Sequence, residues 1–193
     1  LTDLLNEAEE RGYAVAKSKY EGRDVESGLS EGEQREIGRV IGLGGIKYAD
    51  LSPNRQSDYK FSWDKMLALQ GNSFPYLLNA YVRIRSIFRK ASAGGSGEAT
   101  PAIALTDPKE RALAKQMLDL DFVLQAVAEE CRPNLLCNYL YELACQFAQF
   151  YEACPVLKAE EPQRGTRLAL CELVSRVLRQ GLEALGLEIT DRM

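Results

Sequence analysis

Apolar residues recur at helical spacing along most of this 193-residue chain. Leu136, Leu140, Leu143, Phe147, Phe150 and Cys154 form one stripe, which stops before Pro155. Cys171, Val174, Val177, Leu178, Leu182 and Leu185 form another. The opposite face of that helix carries Glu172, Arg176, Arg179 and Glu183, a spacing that predicts ion pairs along it. From Pro75 a further helix places Leu77, Tyr81, Ile84 and Phe88 on one side. Asp107, Pro108 and Glu110 supply an N-cap, a first-turn proline and a capping-box acid for the next. Pro133 separates two more helical runs. Long helices in succession after residue 70 predict an all-α fold, a helical bundle.

The first seventy residues are less regular. LTDLLNEAEERGYAVAKSKY reads as a helix with Thr2 as its N-cap, followed by a polar loop, GRDVESGLS. Ser30 and Glu33 make a capping box ahead of a short helix carrying Ile37, Val40 and Ile41. Gly42, Gly44 and Gly45 are expected to stop that helix. GLGG lacks the strand–helix setting of a phosphate loop, so a helix stop is the preferred reading. KYADLSPNRQSD ends in a loop, and YKFSW alternates apolar and polar residues as one short extended segment, too isolated for a sheet. Further on, ASAGGSGEATP has the composition of a flexible linker, and the chain contains no convincing internal repeat.

Composition narrows the chemistry. A 46% hydrophobic, 27% charged chain of this length can bury the core of one domain, or of one domain plus an appendage. The formal net charge of −4 does not advertise a polyanion partner, but a local basic face can exist within such an average. Five cysteines, without a CxxC pair, point to reduced thiols and not to a disulfide framework. The chain has no histidine, which excludes imidazole zinc sites, histidine triads and imidazole acid–base catalysis. Its acidic residues fall in capping positions and on solvated helix faces, where no catalytic carboxylate pair stands out. There is no apolar run of the roughly 20 residues a membrane helix needs and no signal-peptide start. A start at Leu1 suggests a fragment.

Longer strings carry a resemblance. IGLGGIKYADLSPNRQSDYKFSWDKMLALQGNSFPYLLNAYVRIRSI resembles the C-terminal part of the arginyl-tRNA synthetase family, in which the same blocks occur in this order. YLYELACQFAQFYEACPVL and RLALCELVSRVLRQGLEALGLEITDRM resemble its later helices and closing tail. LTDLLNEAEERG is similar to the segment after the family's KMSKS-type loop. The resemblance covers nearly the whole chain. It departs from the family at Gln70, Ser73, Leu78-Asn79 and Asp191, where an acid, threonine, a Gln-Tyr pair and glutamate are usual.

This resemblance implies a stem-contact or connecting segment over residues 1–70, following the catalytic domain, and an anticodon-binding helical bundle of the DALR type over 71–193. The Rossmann-type catalytic domain with its H-I-G-H signature would lie outside the fragment, and ATP and Mg2+ with it. The fragment is expected to hold no cofactor and to be inactive alone. Its implied partners are an arginine tRNA and its own catalytic domain; a monomer, cytoplasmic and away from membranes, is expected.

Anticodon bases are single-stranded and are read by stacking and by hydrogen bonds to their edges. All arginine anticodons share a central cytosine. By resemblance, Tyr59 and Tyr151 are the expected stacking platforms, Met193 closes over the anticodon loop, and Asn54 and Arg55 lie in a loop touching the tRNA. Lys65 is an expected phosphate or base-edge donor. Arg85 and Arg89, four apart in a cluster with Arg83 and Lys90, share a face able to meet phosphates; the alternative for that face is interhelical ion pairing. Tyr76, Tyr81, Trp63, Phe147 and Phe150 are read as packing residues, the tyrosines with polar tips. The competing function is a protein-interaction scaffold, which an exposed apolar patch in place of an aromatic–basic cleft would favour.

Overall fold

The computed structural model describes residues 1–20, 29–58, 60–92 and 103–193, within which it has eight helices and no strand. The first helix, α1 (Thr2–Tyr20), pairs with α2 (Glu31–Leu51) as an antiparallel hairpin. Thr2 already lies inside α1, and the Leu1 carbonyl accepts the first helical bond from Leu5 N at 3.1 Å, so the expected cap sits one residue earlier. The capping box of α2 forms as expected: Ser30 Oγ accepts from Glu33 N, and Glu33 Oε2 accepts from Ser30 N at 2.7 Å.

Gly42, Gly44 and Gly45 do not stop α2, which runs through them to Leu51. Their role is close approach. A Cβ on Gly42 would lie 2.0 Å from the Ala8 carbonyl oxygen, and one on Gly12 would lie 2.1 Å from that of Gly38. On another side, a Cβ on Gly44 would meet the Phe74 ring at 2.2 Å. Glycine inside a helix costs about 1 kcal/mol relative to alanine, a local preference that tertiary packing overrides here.

A single turn, α3 (Trp63–Met66), follows the loop. YKFSW therefore enters helix at Trp63; Ser62 is extended, and the Phe61 and Trp63 rings meet edge-on at 4.9 Å. Trp63 is half-buried against the core, with the Arg11 guanidinium 5.1 Å from its ring centroid. Gly71, at φ +75°, turns the chain into α4 (Phe74–Ser92). Ser73 Oγ donates to the Ala68 carbonyl at 2.6 Å and secures that turn. Ala91 and Ser92 belong to α4; the rest of the expected linker, like most of GRDVESGLS, lies outside the described residues.

The remaining helices are α5 (Pro108–Leu118), α6 (Leu120–Glu130), α7 (Pro133–Ala153) and α8 (Gln163–Ala184). Asp107 and Glu110 form the expected capping box at the start of α5. The whole α7 stripe from Leu136 to Cys154 is buried, as are Cys171, Val174, Leu178 and Leu182 of α8, whereas Val177 and Leu185 are half-buried. On the polar face of α8, Arg176 pairs with Glu172 at 2.8 Å and Arg179 with Glu183 at 2.9 Å. Helices α4, α5, α7 and α8 pack together, while α6 leans on α7 and α5. All five cysteines are free.

One apolar core runs from Ile37 and Ile41 in α2 through Leu77 and Ile84 in α4 to Leu140 and Val174. The Tyr48 hydroxyl ties α2 to α7, within 3.0 Å of the Cys137 carbonyl and 2.5 Å of Asn72 Oδ1. Burial pushes the pKa of that hydroxyl upward, so it stays protonated. The expected boundary at 70/71 therefore falls in the turn before α4, and the core continues across it.

Candidate nucleic-acid interface

Residues four apart on a helix share a face, and so do residues seven apart. Phe147 and Tyr151 are such a pair on α7, and Tyr76 and Arg83 are such a pair on α4. Packing α4 against α7 brings them into one seam. The Arg83 guanidinium lies 5.7 Å from the Tyr151 ring centroid, and Tyr151 is stacked at 5.9 Å on the buried Phe147. Phe147 is itself tilted against Phe150 at 6.2 Å. Tyr151 is 39% exposed, so an aromatic surface backed by the core reaches solvent beside a cation. Further along the seam Tyr76 and Tyr141 rings meet at 5.7 Å, and the Tyr76 hydroxyl is 3.7 Å from Cys145 Sγ. Desolvation pushes the Tyr76 hydroxyl up to about 12, so that group stays protonated and serves packing.

The other arginines of α4 look elsewhere. After α8, Gly186 (φ +70°) reverses the chain, and Leu187 N donates to the Leu182 carbonyl at 3.0 Å. The tail then crosses α2 and α4. Arg39 pairs with both Glu36 and Glu188, and Lys47 Nζ donates to the Gly186 carbonyl at 3.2 Å. Asp191 Oδ1 accepts from the Tyr81 hydroxyl at 2.9 Å and lies 3.4 Å from Arg85 Nε, while Arg89 Nη1 donates to the Asp191 carbonyl at 3.0 Å. Arg85 is therefore ion-paired with the tail, and Arg89 is hydrogen-bonded to its backbone. Met193 is half-buried against the core.

A second group of candidates sits around the loop after α2. Asn54 Oδ1 accepts from Gln56 N at 3.1 Å and shapes the turn. Arg55 Nη1 donates to the Cys131 carbonyl at 2.9 Å, pinning the loop to the α6–α7 junction. Lys65 is exposed on α3 and, with Lys60, Ser52, Tyr48 and Asn72, lines a polar cleft of about 140 Å³. Tyr59 lies outside the described residues. Tyr151 is thus brought together with a residue that was read only as part of a basic cluster, Arg83. Its seven-residue spacing from Tyr76 was visible in the sequence; the ring opposite it belongs to another helix and was not.

An apolar patch also exists. On α5 and α6, Leu118 is 75% and Phe122 70% exposed, beside a groove of about 350 Å³ bordered by Asp119 and Glu142. It lies in addition to the aromatic–basic seam, not in place of it, and its acidic border does not suit a polyanion. No group of three or more metal-ligating side chains occurs among the described residues. Likewise, no helix among them is long and apolar enough to cross a membrane.

Comparisons with known proteins agree with a helical anticodon-binding bundle. Residues 77–193 match the model of the DALR anticodon binding domain, and residues 1–63 match that of the catalytic domain of class I (R) tRNA synthetases. The matched N-terminal segment consists here of α1, α2 and the loop after them. The arginine–tRNA ligase of Synechococcus elongatus is 50% identical over the whole chain, and that of Chromobacterium violaceum 46%; this chain covers 33% and 32% of their lengths. The solved arginyl-tRNA synthetase of Thermus thermophilus superposes on the whole chain with a TM-score of 0.88 at 31% identity, and 32% of that structure is covered. The chain thus spans about a third of the length of the curated relatives it matches. Its helical bundle, with the family match extending over more than half the chain, places it in the DALR anticodon binding domain family.

Proposed function

We propose that this chain is the anticodon-recognition module of an arginine–tRNA ligase. The observation that carries this reading is the Tyr151 ring, backed by Phe147, open to solvent and flanked by Arg83 within a bundle of the anticodon-binding family. An extruded base stacks on such a ring, and stacking is worth about 1–3 kcal/mol per base. Arginine is a donor only, which suits the ring acceptors of a cytosine or an adjoining phosphate. The bulk of the chain is acidic, so attraction is local to this seam and to the Lys60–Lys65 cleft.

The intact protein would join arginine to its tRNA with ATP and Mg2+ in a catalytic domain, whose nucleotide-binding part the residues of this chain do not fit. The glycines at 42–45 lie within α2, with their backbone in helix, and cannot cradle a phosphate. The proposed partners are an arginine tRNA and the catalytic part of the same protein; a cytoplasmic monomer fits both.

The test is a salt titration of the chain against two anticodon stem-loop RNAs, one with the central cytosine of arginine anticodons and one with that base changed. The expected penalty for the change is about 1–3 kcal/mol, and Tyr151→Ala is expected to remove most of it. Equal, steeply salt-dependent binding of both RNAs would reduce the chain to a phosphate binder. Absence of binding to either would favour the scaffold reading, with the α5–α6 patch as its surface.

A further inference from the structure

The geometry points to Asp191 as a specificity-determining residue: a built-in counter-ion that keeps Arg85 from phosphates and leaves Arg83 as the α4 arginine beside the stacking ring. The inference rests on the anticodon reading above and deepens it.

Three donors from α4 converge on one residue of the tail. Tyr81, only 2% exposed, presents its hydroxyl to Asp191 Oδ1 at 2.9 Å, Arg85 Nε lies 3.4 Å from the same oxygen, and Arg89 holds the Asp191 carbonyl at 3.0 Å. Arg179 of α8 also faces this group and is held by Glu183 at 2.9 Å. Tyr81, Arg85 and Arg89 follow one another at i, i+4, i+8, so a single tail residue can span the row. The tail does not depend on Asp191 for its course. Leu187 is buried, Glu188 pairs with Arg39, and Ile189 and Met193 pack on the core. What Asp191 adds is a negative charge against Arg85.

Unpaired arginines bind phosphate without regard to sequence and steepen salt dependence, whereas specificity comes from base contacts. Pairing Arg85 therefore removes a phosphate contact that RNA bound outside the Tyr151–Arg83 site could use as well, and leaves a larger share of bound RNA in the site that reads a base.

The experiment compares the chain with its Asp191→Asn variant against the same two stem-loop RNAs, as log K against log [salt]. The slope for Asp191→Asn is expected to steepen by about 0.7 as Arg85 gains a phosphate, with a smaller ratio of affinities for the two RNAs. Asp191→Glu, which keeps the charge, is expected to restore both quantities. Adding Arg85→Gln to Asp191→Asn is expected to take back the steepening. An unchanged slope in Asp191→Asn, with or without an earlier thermal melt, would make Asp191 a structural tether and overturn the inference. A steepening that survives Arg85→Gln in full would overturn it as well. If the unaltered chain does not distinguish the two RNAs, the anticodon reading itself falls, and this inference with it.

Discussion

Replacing Glu110 by alanine is expected to lower the unfolding free energy by about 3–5 kcal/mol, the range for breaking a buried ion pair by removing one partner. Glu110 is fully buried. Its Oε2 accepts from Thr106 N at 2.9 Å and Asp107 N at 3.0 Å, and its Oε1 accepts from Arg167 Nε at 2.8 Å. Arg167 also donates to the Pro155 carbonyl at 2.9 Å, so one carboxylate joins the start of α5, the start of α8 and the turn after α7. Alanine would leave a guanidinium that is 14% exposed without its counter-ion and two amide donors without an acceptor. Urea unfolding should show a lower midpoint at constant slope. A loss below about 1 kcal/mol would mean that water replaces the carboxylate freely.

The same residue predicts a pH dependence. Burial pushes the Glu110 carboxyl up, but the amide hydrogen bonds and Arg167 outweigh it, and the net result lies below the usual carboxylate range. A carboxyl with a lowered pKa in the folded state contributes its stability above the unfolded pKa and loses it as pH falls through the folded one. Acidification from the ordinary carboxylate range downward should therefore destabilise the unaltered chain more than Glu110→Ala. Glu33, Glu36 and Glu188 are lowered as well, so the difference between the two chains, not either curve alone, reports Glu110.

Gly42→Ala is the second large effect, and its sign separates two accounts of the glycines. Helix propensity alone would make the change stabilising by about 1 kcal/mol. Packing predicts the opposite, because the added Cβ would lie 2.0 Å from the Ala8 carbonyl oxygen, 2.4 Å from its carbon and 2.9 Å from Glu9 N. All three are backbone atoms, and α1 must move away from α2 to make room. Overpacking of this kind costs about 1–3 kcal/mol, and somewhat more where backbone has to shift. Gly32, near the exposed start of α2, is the internal control, since a Cβ there would meet only Ser30 Oγ at 4.0 Å. Gly32→Ala is expected to stabilise by about 0.5–1 kcal/mol. If Gly42→Ala also stabilised, the close crossing of α1 and α2 would be wrong.

Much of the fold was legible along the chain because its causes are local. The buried stripes of α7 and α8 follow from helical period, and the caps at Ser30 and Asp107 from side chains that reach their own backbone. Ion pairs on α8 join residues four apart. Tyr76 and Tyr81 pack as read, each with its hydroxyl satisfied. The glycine run differs from its local expectation because Gly-rich helix stops and Gly-rich helix crossings look alike until the neighbouring helix is known. The cap of α1 falls one residue before Thr2 because either Thr2 or Leu1 can precede the first turn, and the backbone bond from Leu5 decides it.

For the site the division is sharper. Sequence alone determined an all-helical bundle, its stripes and caps, the family resemblance, and Tyr151 as a candidate platform. Each of these depends on residues within about two turns of one another or on strings long enough to be distinctive. Only the tertiary structure decided that Arg83 faces Tyr151, that Arg85 and Arg89 face Asp191, and that the glycines of α2 admit α1. Asp191, in the tail, is 110 residues from Tyr81, and Tyr151 on α7 is 68 from Arg83 on α4. Three arginines two to four residues apart have the same local surroundings, and what distinguishes them is the rotation of α4 against its neighbours. That rotation is set by the whole core at once, and no single stretch of sequence contains it.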